Sequence, residues 1–542
     1  MLKKYFLYFH TCRHLKTRQI LWRIYLKLHK IHWRKQAAPP SCIPLGHWVP
    51  PIAVGRILAG ENEFTFLHET HRCQMPADWN HPERSKLYLY NLHYFDWLRQ
   101  PDLPPATKNL WMERWTEGNP PIAGNGWEPY PISLRVVNWI KWGLQEPLSE
   151  KILDSLALQL RILEQQIEYH LLANHLLANA KALIFGGLFF ASPEGGRWYE
   201  LGIDIYRQEL PEQILRDGGH IERSPMYHAI ILEDILDIIN LFYAMKGKSR
   251  QLPLDFDRIA CRMLHWLQVM TMPDGDITFF NDAAFGIAPR LESLIAYANR
   301  LGLNYHCSEL PAVCQLADSG YCRVACGPWL LWTDTAPLGP DYQPGHAHAD
   351  LLSFELCYRN KRLLVNSGTS CYTGPDRQLE RATSAHNTLT LAGQNSAEVW
   401  KDHRVARRGK IVDCSIASQI LTATHDGFLR QFGCLHRRCW RWTPEAIFIE
   451  DRVSGAAQLP VELYFHWHPD WQVETHGNSA VVLRHVDGTR CQIQFEKPPR
   501  RLEVRKSFYR CGFGRRIPNV TIVAEQDKDS MELQIVTRIL AL

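Results

Sequence analysis

The sequence lacks any apolar run of eighteen residues, so no stretch of it reads as a membrane-spanning helix. It lacks a strong excess of charge: 61 Lys and Arg stand against 56 Asp and Glu. That balance is an ordinary globular surface and gives no sign of a nucleic-acid partner. It has no Cys-x-x-Cys and no short-spaced Cys/His cluster of the zinc-finger kind. Its fifteen cysteines are scattered and odd in number, which reads as buried thiols in a reducing compartment. The start, Met1 to His10, opens like a signal peptide, but His10, Arg13, His14 and Lys16 break the apolar run and no small-residue cleavage site follows. The expectation is mature sequence, or a surface-associated basic-aromatic segment, in the cytoplasm or the cell envelope or periplasm.

What is abundant is aromatic: nineteen Trp, twenty Tyr and twenty-one Phe. Pyranose rings pack on aromatic faces, so this content suits a carbohydrate cleft, and it equally suits the core of a large fold. The 542 residues are long enough for two or three domains. Residues 1–80 read as a basic extension with a helical pattern at 17–34, a Pro-rich break at 38–51 and a short strand at Phe64–Leu67. From 81 to 310 the apolar period is helical, with an aromatic helix at 91–98. Further helices are expected over 149–169, 171–189, 200–216, 225–246, 254–271 and 289–301, which suggests a toroid or solenoid of paired helices. From 311 to 542 the period falls to two, with many short strands between Gly and Asp turns, the pattern of an antiparallel β-sandwich. The fold class is therefore α+β multidomain, and the cleft between the two parts is the default site.

Four polar islands stand at element ends. The first is Asn174-His175 at the start of an apolar helix, where a capping Asn and a core His are the plain alternative. The second runs from Asp217 to His228 and contains Glu222, Arg223, Ser224 and Tyr227. Ser224 is placed to cap a helix that begins at Pro225. Tyr227 then lies in the first turn, where helix-start amides and Arg223 would favour a phenolate. The third is Gly345-His346-Ala347-His348-Ala349-Asp350, whose two histidines share a side if the chain is extended. The fourth is Arg381 to Thr388, containing His386. With His348 and an oxygen donor near 366, His386 could make a metal site of long spacing, or the same residues could be hydrogen-bonded. Arg135 and Trp127, together with Glu222 and Arg223, are candidate substrate contacts.

Together these islands resemble the heparinase II/III-type polysaccharide lyases, the superfamily that also holds alginate and oligoalginate lyases. The resemblance is carried by Asn174-His175, by Gly-His-x-Glu-x-Ser-x-x-Tyr-His from Gly219 to His228, by His-x-His-x-Asp from His346 to Asp350, and by Ala385-His386-Asn387-Thr388 with Gly393-Gln394-Asn395. It implies an (α/α) toroid followed by an antiparallel β-sandwich, and β-elimination at a uronic acid in an acidic polysaccharide. It implies that Asn174 and His175 neutralise the substrate carboxylate, that Tyr227 takes the C5 proton, and that Tyr227 or His346 protonates the leaving O4. It implies structural zinc on His348, Asn366 and His386.

One residue departs from the family pattern. The third metal position is an aspartate in metal-binding relatives and is Asn366 here, within Val365-Asn366-Ser367-Gly368. A neutral amide is a poorer zinc ligand, so the expectation divides between amide-oxygen coordination and a hydrogen-bonded brace. Two other functions stay open at this level. One is a non-catalytic glycan-binding or exopolysaccharide and capsule assembly protein on the same scaffold. The other is a glycoside hydrolase using Glu222 and Asp350, since hydrolysis wants two carboxylates flanking the bond.

Overall fold

Proline at the first helical position and serine before it mark many helix starts in the N-terminal part, because proline supplies the helical φ where no amide donor is needed. The computed structural model describes the chain apart from Met1, residues 248–250 and residues 456–457. Its helices up to residue 300, among the described residues, are α1 (Leu2–Cys12), α2 (Thr17–Leu28), α3 (Lys86–Tyr94), α4 (Pro105–Gly118), α5 (Pro129–Gly143), α6 (Glu150–Gln165), α7 (Ala173–Phe189), α8 (Pro193–Gln213), α9 (Pro225–Lys246), α10 (Phe256–Val269) and α11 (Leu291–Arg300). Ser85, Ser192 and Ser224 cap α3, α8 and α9 by accepting a backbone N–H three residues on. The aromatic helix expected at 91–98 is divided: α3 ends at Phe95, which is left-handed with φ 64°, and a 3-10 turn covers Asp96–Arg99. The helix expected from residue 200 begins earlier, at Pro193, with Gly195 and Gly196 inside it. Those glycines read as a turn in sequence. In the fold a Cβ on Gly195 would stand 2.3 Å from the Phe190 carbonyl, so Gly195 permits the close packing of α8 on α7.

The helices from α3 onward form the (α/α) toroid. Its core is the aromatic content of the sequence: Trp97, Trp111, Trp115, Trp139 and Trp198 are fully buried there. The C-terminal part is the antiparallel β-sandwich. A five-stranded meander runs from Val313–Leu316 to Lys361–Leu364. An eight-stranded sheet extends between edges at Ile411–Ala417 and Trp471–His476, and a four-stranded sheet is built on the long hairpin Arg501–Gly512 and Arg515–Lys528. Strand Leu435–Trp442 shows the period-two logic, with His436, Arg438, Trp440 and Trp442 buried and the residues between them more exposed. The loops at 340–352 and 366–374 leave the five-stranded sheet and meet the toroid near the start of α9, where the helical and β parts share a cavity.

Candidate active site

A cavity of about 330 Å³ lies between α3, α5, α7 and α9 on one side and the β-domain loops on the other. Asn174, His175, Tyr227 and His346 all line it. At Leu67, Tyr372 and Phe513 it adjoins a second cavity of about 460 Å³, whose wall carries Glu69, Lys86, Asp376 and Arg516. Tryptophan is absent from both linings; the aromatic faces are Tyr90, Tyr94, Tyr130, Tyr227, Tyr372 and Phe513. The tryptophan content therefore reports the core, and tyrosines make the cleft.

Asn174 and His175 stand in the first turn of α7, and the Asn is not its cap. The chain enters through Leu172 and Ala173, with φ of 65° and 50°. Such non-glycine backbone stores on the order of 1–3 kcal/mol per residue, and it persists where surrounding contacts hold it. Here a carboxylate holds it. Glu222 accepts from the Asn174 backbone N–H at 3.1 Å and from its Nδ2 at 2.7 Å. This bond orients the Asn174 amide with its donor side toward Glu222. His175 Nδ1 is 3.1 Å from Glu168, which also receives Asn179 Nδ2 at 3.0 Å. Burial by itself would lower the His175 pKa, but the Glu168 charge and hydrogen bond outweigh it and raise the value, which favours the imidazolium.

Tyr227 is held by the cap, its N–H donating to Ser224 Oγ at 3.2 Å. Its hydroxyl meets the Tyr372 hydroxyl at 2.6 Å, and its ring lies 4.0 Å from the His346 ring. The surroundings work against the expected phenolate. Burial, then the neighbouring Tyr372 and Asp282, push the Tyr227 phenol well above its ordinary range. Arg223 does not offset this. Its guanidinium turns away to the carbonyls of Ser319 at 3.1 Å and Ile221 at 3.0 Å.

His346 and His348 do share a partner, and it is a residue that the sequence reading passed over. Asp282 is fully buried in the loop between α10 and α11. One of its oxygens is 2.8 Å from His346 Nδ1 and the other is 2.9 Å from His348 Nε2. Arg377, in the short helix Pro375–Glu380, grips both oxygens with Nη1 and Nη2, the latter at 2.7 Å. Burial would raise the Asp282 pKa, but the Arg377 charge and the two histidine bonds hold it well below the ordinary carboxylate range. Its only sequence signal was an Asn-Asp pair directly after Phe279-Phe280. Tyr372 was also missed; its signal was a lone aromatic in the Gly368–Gly374 loop.

The proposed metal ligands meet, but as a hydrogen-bonded brace. His348 Nδ1 is 3.1 Å from His386 Nε2, and His386 Nδ1 is 2.8 Å from the Ala382 carbonyl. Asn366 Nδ2 donates to the Phe279 carbonyl at 2.8 Å, while its Oδ1 accepts the Asn387 N–H at 3.3 Å. Burial lowers the pKa of both histidines, that of His348 to about 4. Two imidazoles and an amide already bonded through both its ends are a poor zinc set. Among the described residues no three His, Cys, Asp or Glu side chains are grouped to hold a metal. The residues present do not fit zinc.

The candidate substrate contacts lie elsewhere. Arg135 is fully buried and donates to Gln159 Oε1 and to the carbonyls of His93 and Gly126. Trp127 is buried with its indole N–H on the Asn119 carbonyl. Glu222 acts behind Asn174, with a second oxygen 3.6 Å from His346 Nε2. Asp350, whose pKa burial pushes up to about 7, lies 3.4 Å from the Asn281 N–H. Neither Glu222 nor Asp350 lines the cavity, so the two do not flank a sugar bond there. In their place an ionic network lines the toroid side: Lys181 reaches Asp234 at 2.6 Å and Asp237 at 2.5 Å, Lys141 reaches Asp237 at 2.5 Å, and Arg99 reaches Glu233 at 2.6 Å.

Comparison with known proteins places this geometry in a family. The model "Heparinase II/III N-terminus" matches residues 147–298, and "Heparinase II/III-like, C-terminal" matches residues 309–537. A heparin-sulfate lyase of Bacteroides stercoris is 25% identical over 451 residues, covering 74% of this chain and 63% of the relative. A heparin-sulfate lyase of Pedobacter heparinus is 24% identical over 244 residues, covering 41% of this chain and 36% of the relative. The chain thus spans less than two thirds of the length of either lyase. FtsZ-localized protein C of Caulobacter vibrioides is 23% identical over 450 residues, covering 75% of this chain and 74% of the relative. The crystal structure of heparinase III superimposes with a TM-score of 0.67 at 18% identity, over 86% of this chain and 79% of the other, which is a likeness of fold. The chain belongs to the heparinase II/III-type lyase superfamily.

Proposed function

We propose that the protein is a polysaccharide lyase that cleaves an acidic, uronate-containing glycan by β-elimination. The observation that carries this reading is the convergence of Asn174, His175, Tyr227 and His346 on one cavity. A C5–H beside an ionised carboxylate is a very weak acid, so the carboxylate charge must be cancelled as the proton leaves. His175, whose imidazolium is favoured by Glu168, would supply that charge, and the second N–H of the Asn174 amide would add a hydrogen bond. A phenol raised by burial suits Tyr227 to donating a proton, so this reading gives it the acid's part where the sequence suggested the base. His346 has Nδ1 2.8 Å from Asp282, and in the tautomer that donates from Nδ1 to this carboxylate Nε2 is the accepting nitrogen. In the step, the C5 proton passes to His346 Nε2 and its electron pair forms the C4–C5 double bond. The C4–O4 bond breaks, and Tyr227 protonates O4 as it leaves with the neighbouring sugar. No water is consumed.

The test is a panel of uronate polymers (heparan, hyaluronan, alginate, polyglucuronate and bacterial capsules), read by the ultraviolet absorbance of the unsaturated uronate. Absorbance with at least one polymer is expected; none across the panel would sink the lyase reading. A synthetic uronide with a nitrophenoxy group at C4 separates the roles, since that leaving group needs no proton. Tyr227→Phe should lose on the order of 10²–10⁴ in rate on polymer and recover on this substrate, while His346→Ala stays inactive on both. A second reading, a non-catalytic binding protein, stands beside it because one relative is named for FtsZ localisation and not as a lyase. It predicts saturable glycan binding with no product.

A further inference from the structure

The first sixty residues contain eleven Lys and Arg and not one Asp or Glu. The rest of the chain has 50 Lys and Arg against 56 Asp and Glu, so the whole positive excess sits in this segment. Much of it folds as α1 and α2, which lie outside both family matches.

Each helix is anchored by one side. Tyr8 packs edge-on to Trp400 of the β-domain at 4.9 Å, the Trp400 indole N–H donates to Thr11 Oγ1 at 3.0 Å, and His10 is buried. In α2, Trp22 donates to the Ile167 carbonyl of the toroid and the buried Gln19 donates to the Tyr342 carbonyl. The opposite sides carry large apolar groups in water. On α1 these are Tyr5, Phe6 and Phe9, at spacings of one helical face. On α2 they are Ile20, Leu21, Ile24 and Leu28, again one face, with Leu28 79% exposed. Exposed Lys4, Arg13, Arg23, Lys27 and Lys30 are interspersed with them.

We propose that α1 and α2 are in-plane interfacial helices that dock the protein on an anionic lipid surface. Contiguous exposed apolar side chains require a cover. Helices of 11 and 12 residues are too short to span a bilayer, and no helix among the described residues is long and apolar enough to do so. Phe, Leu and Ile enter the acyl boundary, and the exposed lysines and arginines beside them meet phosphate head groups, while Lys16 and Arg18 pair inward with Glu212 and Glu209. A glycan would satisfy the cations and leave the apolar faces in water.

The experiment is flotation of the full chain with vesicles of phosphatidylcholine alone, and of phosphatidylcholine with about one third phosphatidylglycerol. Binding to the anionic vesicles, weakened by salt and weak on phosphatidylcholine alone, is expected. Phe6→Ser with Phe9→Ser, and separately Leu21→Ser with Ile24→Ser, should each lower the partition coefficient by roughly tenfold. These side chains are exposed, so unchanged thermal melting serves as the folding control. Lys27→Glu with Lys30→Glu should weaken binding in low salt and have less effect in high salt. Absence of flotation with anionic vesicles would overturn the proposal, as would flotation unchanged by the serine pairs. A stable dimer dissociated by those same pairs would also overturn it, assigning the face to a second copy of the chain.

Discussion

Two buried ionic clusters flank the cavity, and they are built differently. On the toroid side, Lys141, Lys181 and Arg99 share Glu233, Asp234 and Asp237 across three helices and a 3-10 turn. Charge there is distributed: Lys181 has two carboxylate partners, Asp237 has two lysines, and Arg99 reaches Asp96 as well as Glu233. On the β-domain side, Asp282 alone receives Arg377, His346 and His348, with Thr369 Oγ1 at 3.3 Å. That cluster joins the proposed proton acceptor to the histidine brace through one carboxylate. The toroid cluster shapes a wall; the Asp282 cluster orients a reacting group and ties three loops together. Such concentration gives precise aim with no redundancy.

Single substitutions expose this difference most strongly. Asp282→Asn leaves the Arg377 charge buried without its counter-ion, and a loss of about 3–5 kcal/mol is expected, together with loss of turnover. Asp234→Asn leaves Lys181 its bond to Asp237, and about 1–2 kcal/mol is expected. Denaturant melts of the two variants check the ranking, and an equal loss in both would break the comparison.

A pH series comes next. Burial lowers the pKa of His220 to about 4 and of His228 to about 3, while an unfolded histidine titrates near its ordinary value. The unfolded chain therefore binds more protons once the pH falls below that ordinary value. Stability should be full above about pH 6.5 and fall by about 1.4 kcal/mol per pH unit for each such histidine as acid approaches the folded values. The carboxyl of Asp282, held well below its ordinary value, gives stability that is lost only in stronger acid. Melting temperatures from pH 7 to 4 check this, and a flat profile would refute it. His228→Gln should make the decline shallower.

The smallest expected effect concerns the brace. His348 and His386 already bond to each other, so a chelator or added zinc should leave the melting temperature unchanged. His386→Ala should lower stability by about 1–3 kcal/mol by leaving the His348 nitrogen without its partner. A clear rise in melting temperature with zinc would show that Asn366 accepts a metal after all.

Local signals were readable where chemistry and periodicity coincide. Ser224 followed by Pro225 announced the start of α9, and the change of period near residue 310 announced the strands. The Asn174-His175 and His346 motifs pointed to residues that line one cavity. Arg135 and Trp127 were candidate substrate contacts, and their burial depends on helices packed around them from distant parts of the chain.

What the sequence by itself determined is the order of a helical and a β part, the Ser224 cap, and the residue types at the cavity, because these depend on neighbours within a few positions. Only the tertiary structure decided which partner each group meets. Asp282 became the hub because segments near 346, 369 and 377 close on it. The Tyr227 phenol is raised because burial and Tyr372 act on it, where the local helix start suggested the reverse. Desolvation and long-range contacts are properties of the closed fold, and no local pattern encodes them.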